Sequence, residues 1–130
     1  MPATEFIARA GSVDLGGSVW LPDSAPVALL VMCPGSGAAD RHNGSYFAPI
    51  REHLLERGCA ICSFDKRGVG SSSGHWQDAD IPAQSEDVLA VVAAALTELP
   101  TTTPVGLFGH SQGGWVVLEQ SHTASPEEGL

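Results

Sequence analysis

The sequence predicts an α/β fold, a doubly wound, mostly parallel sheet with helices on both faces. Three observations carry this. After two opening segments that alternate apolar and polar residues, strand-length apolar runs and longer amphipathic stretches follow one another three times, the order of a βα repeat. Residues 27–33 form a continuous apolar run, as expected of a strand buried on both faces. Gly, Pro and Ser clusters mark the junctions between segments.

The elements follow in order. Residues 5–10 and 13–21 alternate and meet at Gly11-Ser12, which reads as a hairpin. Gly16-Gly17 inside the second segment predicts a bulge or sharp bend. Residues 22–26 are a turn cluster, and 27–33 the third strand. A loop over 34–44 leads to a helix capped by Ser45 and running to about Arg57. It has Phe47, Ile50 and Leu54 on one face and Gly58 as its stop. Residues 59–64 are a strand and 65–75 a Gly/Ser-rich loop. The second helix runs from about Ile81, with Pro82 near its first turn, to Leu99. Val88, Val91, Val92, Ala95, Leu96 and Leu99 recur along it at helical spacing. Residues 100–104 break the pattern, 105–108 form a short strand, and a third helix spans Gly113 to about His122. Residues 125–130 are polar and patternless.

With 130 residues and a formal charge of −9, the chain suits one domain and offers no basic surface. Nucleic acid and an anionic membrane are therefore not expected as partners. The longest apolar run, 88–96, is too short to span a bilayer, and the first residues lack a basic and apolar leader. The expected compartment is the cytoplasm. Cys59 and Cys62 spell C-x-x-C, but on a strand they point to opposite faces, so they neither chelate nor bridge easily. No second pair completes a zinc set. Buried reduced thiols are expected, with no metal and no cofactor.

Ser111 stands in Gly109-His110-Ser111-Gln112-Gly113, a G-x-S-x-G pattern between an apolar strand and the helical stretch Trp115-Val116-Val117-Leu118. A strand–turn–helix elbow lifts a serine oxygen above the sheet edge, and its glycines allow a strained turn and close packing. Gly70-Ser71-Ser72-Ser73-Gly74 matches the same pattern, but Ser72 follows charged Asp65-Lys66-Arg67 with no strand entering, and reads as a loop serine. Ser111 is the nucleophile candidate. A tetrahedral oxyanion needs two donors. One is the Gln112 backbone N–H at the positive end of a helix. The Ser36 N–H in Pro34-Gly35-Ser36-Gly37, after the third strand, is taken as the other, beside the alternative that this loop simply turns tightly.

Four stretches in this order resemble the N-terminal half of an α/β-hydrolase. They are Val19-Trp20-Leu21-Pro22, Pro34-Gly35-Ser36-Gly37 with Asp40-Arg41, Phe64-Asp65-Lys66-Arg67-Gly68-Val69-Gly70-Ser71-Ser72, and Gly109-His110-Ser111-Gln112-Gly113-Gly114. The chain is similar to the esterase-like branch that includes dienelactone hydrolases and serine aminopeptidases. That resemblance implies a serine hydrolase without metal or organic cofactor, acting on the ester, thioester or amide carbonyl of a small acyl substrate.

The family triad runs Ser, acid, His. Glu119 and His122 have the right order, but they sit roughly 12 and 16 Å along the helix that Ser111 opens. His42 and His75 follow strands and lie at the correct sheet edge. Either could approach Ser111 as a substitute base, but the first is read as shaping the oxyanion loop and the second as a solvated loop residue. His110 is read as packing beside the elbow, and His53 has no visible partner. Asp65 and Arg67 are read as bracing their loop at the sheet edge by local hydrogen bonds rather than holding an anion. Neither a Walker pattern nor G-x-G-x-x-G is complete. The expectation is therefore that residues 1–130 are the N-terminal part of one hydrolase domain, with the triad acid and His elsewhere. Strand 105–108 is then an open edge through which the chain self-associates. The competing reading is a non-catalytic hydrolase fragment.

Overall fold

The computed structural model describes residues 3–100 and 102–123, with side chains as far as Gln120. The patternless stretch 125–130 and the His122 side chain lie outside the described residues. Five strands and three α-helices follow the predicted order: β1 Ala3–Ala10, β2 Val13–Trp20, β3 Ala28–Cys33, α1 Phe47–Glu56, β4 Cys59–Phe64, α2 Ile81–Leu96, β5 Val105–Gly109 and α3 Gln112–Thr123. A short 3-10 turn, Trp76–Asp78, precedes α2.

The sheet order is β1-β2-β4-β3-β5. The hairpin pairs antiparallel with β4, whereas β4, β3 and β5 run parallel. Alternation along β3 divides the core. Leu29, Val31 and Cys33 pack with Val88, Val91, Ala95 and Val116 of α2 and α3. Leu30 and Met32 pack with Phe47, Ile50 and Leu54 of α1. Both faces of the sheet are thus covered, which is why residues 28–33 are apolar throughout, whereas Val27, just before the strand, is exposed. Cys59 belongs to the α1 side and Cys62 to the other, and all three thiols are free. Burial pushes the Cys33 thiol up to about 12 and the Cys62 thiol up as well. Cys59, however, is only half-buried.

Four local expectations need correcting. Gly16-Gly17 makes no bulge: the β1–β2 register runs unbroken from Ala3↔Trp20 to Ala10↔Val13. The glycines serve close approach instead, since a methyl on Gly17 falls 2.7 Å from the Ser63 carbonyl oxygen. Ser45 does not cap α1. Tyr46 occupies that position with no side-chain hydrogen bond, and Asp40 organises the preceding turn by accepting the His42 and Asn43 N–H groups. Helix α2 stops at Leu96, three residues early, because the chain tightens there: Thr97, Glu98 and Leu99 donate to Ala94, Ala95 and Leu96. Its start is fixed by Asp80, whose carboxylate accepts the Ala83 N–H at 2.9 Å. Helix α3 opens one residue earlier than expected, at Gln112.

Candidate active site

With β4 and β5 on either side of β3, the chain leaves β3 in one direction and β5 in the other. The crevice between their C-terminal ends is the switch point at which open α/β sheets bind ligands. The loop after β3 carries Ser36 there, and the turn after β5 carries Ser111. The two are stitched together by the Cys33↔Gly109 register and by the His110 N–H donating to the Cys33 carbonyl at 3.1 Å.

Ser111 is exposed and has φ 55°, a left-handed conformation costly for a residue with a side chain. The turn is held by Gly113 N–H to His110 O at 2.8 Å and Gly114 N–H to Ser111 O at 2.9 Å. The flanking glycines are sterically required. A methyl on Gly109 falls 2.5 Å from the Gly113 carbonyl carbon, and one on Gly113 falls 2.7 Å from the Pro34 carbonyl oxygen. Ser72, the other serine in such a pattern, is buried and donates to the Asp65 carbonyl at 2.6 Å while accepting the Gly16 N–H. It is a structural loop serine.

Neither the Ser36 nor the Gln112 backbone N–H donates to another described residue. Their surroundings are fixed by two residues that the sequence reading did not single out. Asn43 Oδ1 accepts the Gly35 N–H at 3.3 Å, and its Nδ2 donates to His110 Nδ1 at 2.9 Å. An accepting Nδ1 places the ring proton on Nε2. Tyr46 stacks on the His110 ring at 4.7 Å, so His110 does pack beside the elbow. Lys66 Nζ donates to Gly35 O, Gly37 O and Gln112 Oε1.

The second bracing layer is ionic. Arg41 donates to both oxygens of Asp65, and Asp65 also accepts the Ser71 and Arg41 backbone N–H groups. Burial works against the Asp65 charge, but these bonds outweigh it and bring its pKa down to about 2. Arg67 forms a two-pronged pair with Asp87 of α2 at 2.8 and 2.7 Å. Asp65 and Arg67 therefore brace the loop, but not chiefly by the local hydrogen bonds expected: apart from Ser71, the partners are Arg41 and Asp87, 24 and 20 positions away.

Ser111 Oγ has no hydrogen-bond partner among the described residues. His42 is exposed in an edge-to-face contact with Trp20, and His75 is exposed ahead of the 3-10 turn. Glu119 lies two turns along α3. His53 has Arg57 for a neighbour, at 3.2 Å. No group of three His, Cys, Asp or Glu able to hold a metal occurs among the described residues, and no described helix is long and apolar enough to cross a membrane.

Residues 24–128 match the family model described as serine aminopeptidase, S33. A monoacylglycerol lipase of Mycolicibacterium smegmatis is 32% identical over 118 residues, which are 85% of this chain and 38% of that protein. The human mitochondrial palmitoyl-protein thioesterase ABHD10 is 31% identical over 112 residues, covering 83% of this chain and 35% of the relative. Among solved structures, the ferulic acid complex of Est1E from Butyrivibrio proteoclasticus superposes with a TM-score of 0.76 at 24% identity, over 89% of this chain and 46% of that one. The chain thus spans less than half the length of each of these proteins.

Proposed function

Because the chain belongs to the serine aminopeptidase S33 family of α/β-hydrolases, we propose that it carries the nucleophile and oxyanion hole of a serine hydrolase. The substrate is a small carboxylic ester, thioester or amide. Ser111 Oγ attacks the carbonyl carbon, and the Gln112 and Ser36 N–H groups hold the oxyanion. The observation that carries this reading is the left-handed backbone of exposed Ser111 between β5 and α3. Strain of that kind persists where the surrounding structure enforces it, here through the Gly109 and Gly113 contacts. The triad acid and His come from outside the described residues, and residues 1–130 form the N-terminal part of a single hydrolase domain. Further strands then add beside β5, which is the edge strand here.

A fluorophosphonate probe tests the assignment. Labelling at Ser111 that disappears in Ser111→Ala supports it, and absence of labelling in the protein from its complete coding sequence overturns it. That Ser111 Oγ has no hydrogen-bond partner among the described residues favours a second reading for the 130 residues alone, a non-catalytic hydrolase fragment. Probe labelling of the 130-residue chain itself would refute that one.

A further inference from the structure

Lys66 is a charged residue only 7% exposed, and it forms no ion pair among the described residues. All three donors of its ammonium go to neutral oxygens: Gly35 O at 2.7 Å, Gly37 O at 3.2 Å and Gln112 Oε1 at 2.9 Å. Burying an ammonium without a counter-charge is costly, and burial lowers its pKa from the ordinary lysine value. An apolar side chain would fill the same space more cheaply. What distinguishes this cation is the pair of segments it joins.

The Gly35–Ser36 peptide is trans, so its C=O and N–H point in opposite directions. Holding the Gly35 carbonyl on Nζ therefore aims the Ser36 N–H away from Lys66. Glycines on both sides of Ser36 leave that peptide free to rotate unless something holds it. The Gly37 carbonyl supplies a second anchor beyond Ser36, and the Gln112 side chain ties the first residue of α3 to the same nitrogen.

We propose that Lys66 is a positioning residue that clamps the two halves of the oxyanion hole into one geometry, an inference that rests on the reading of Ser111 as nucleophile. Lys66 does not touch the substrate; it acts through Ser36 and Gln112.

The test compares the protein from its complete coding sequence with Lys66→Met and Gln112→Ala. Methionine keeps an unbranched stem and removes every donor. With p-nitrophenyl acetate, kcat of Lys66→Met falls by about 10–100-fold while KM stays within about twofold, because the oxyanion contacts strengthen only in the transition state. Affinity for phenylboronic acid, a tetrahedral mimic, falls in parallel with kcat/KM, which a purely structural role does not require. Gln112→Ala leaves both carbonyls on Nζ and loses about 3–10-fold in kcat; if Lys66→Met does not fold, this variant decides alone. Wild-type kcat and boronate affinity in the folded variants overturn the clamp. If the wild type itself does not react with a fluorophosphonate at Ser111, the nucleophile reading fails and the clamp fails with it. If the wild type reacts and both variants react equally fast, only the clamp fails.

Discussion

Gly113→Ala and Gly114→Ala make the same chemical change at adjacent residues of α3, and packing predicts opposite results. In a helix each gains about 1 kcal/mol of propensity over glycine. At 114 nothing lies within 4 Å of the added methyl, so the gain stands. At 113 the methyl falls 2.7 Å from the Pro34 carbonyl oxygen and nearer still to that of Cys33, whereas ordinary contact begins at 3.4 Å. Both oxygens belong to the anchored end of β3. The first turn of α3 must therefore back away by roughly 1 Å in an interior packed like a crystal. Overpacking of this kind costs about 1–3 kcal/mol, which exceeds the propensity gain. The same movement carries the Ser111 elbow, and a displacement of roughly 1 Å costs on the order of 100-fold in reactivity. Urea denaturation followed by tryptophan fluorescence reads the stability, and the second-order rate of fluorophosphonate labelling reads the serine. Gly114→Ala shifts the urea midpoint up and leaves the rate near wild type. Gly113→Ala shifts the midpoint down and slows labelling about 100-fold. Equal midpoints for the two variants would refute the packing argument.

Other outcomes follow from the bracing groups. Asp65 is 3.8 as a free carboxyl and about 2 here. Its depressed value contributes about 2 kcal/mol that is present above pH 4 and lost as pH falls through about 2. Urea midpoints measured from pH 5 to pH 2 should show that loss in wild type and lack it in Asp65→Asn, and matching slopes would count against it. Arg67→Met strands the Asp87 carboxylate, 4% exposed, and destabilises by about 3 kcal/mol. Adding Asp87→Asn should recover part of that cost in a thermal melt, and no recovery contradicts the pairing. Asp80→Ala removes the α2 cap and costs about 1 kcal/mol by urea denaturation. The 130-residue chain, with β5 as an open edge, should gain mass with concentration in light scattering; a monodisperse monomer at all concentrations argues against edge pairing.

The fold was legible because its physics is local and repetitive. Apolar runs of strand length, helical spacing at Val88, Val91 and Ala95, and the stop at Gly58 each follow from side chains within a few positions of one another. Errors fell where a neighbour that the local pattern does not single out decides the geometry. Gly16-Gly17 looked like a bulge or bend because glycine in a strand often marks one, yet a methyl at 16 would meet the Ser71 side chain and one at 17 the Phe6 ring and the Ser63 carbonyl. Ser45 looked like a cap because its type suits capping, but the Asp40 carboxylate already organises that turn.

The candidate site divides in the same way. The Ser111 elbow was readable because strand, turn and helix are contiguous, so a left-handed serine between two glycines leaves its mark within five residues. Its support was not. Asn43 reaches His110 across 67 positions and Lys66 reaches Gln112 across 46, distances bridged only by a strand order that no local pattern encodes. Lys66 was visible in the sequence as one charge among Asp65-Lys66-Arg67, and its neighbours made all three look alike. Their partners separate them: among the described residues Asp65 and Arg67 find opposite charges, while Lys66 finds only carbonyl and amide oxygens. With no ion pair among the described residues, Lys66 holds neutral oxygens instead: the carbonyls on either side of Ser36 and the side-chain amide of Gln112, the first residue of α3.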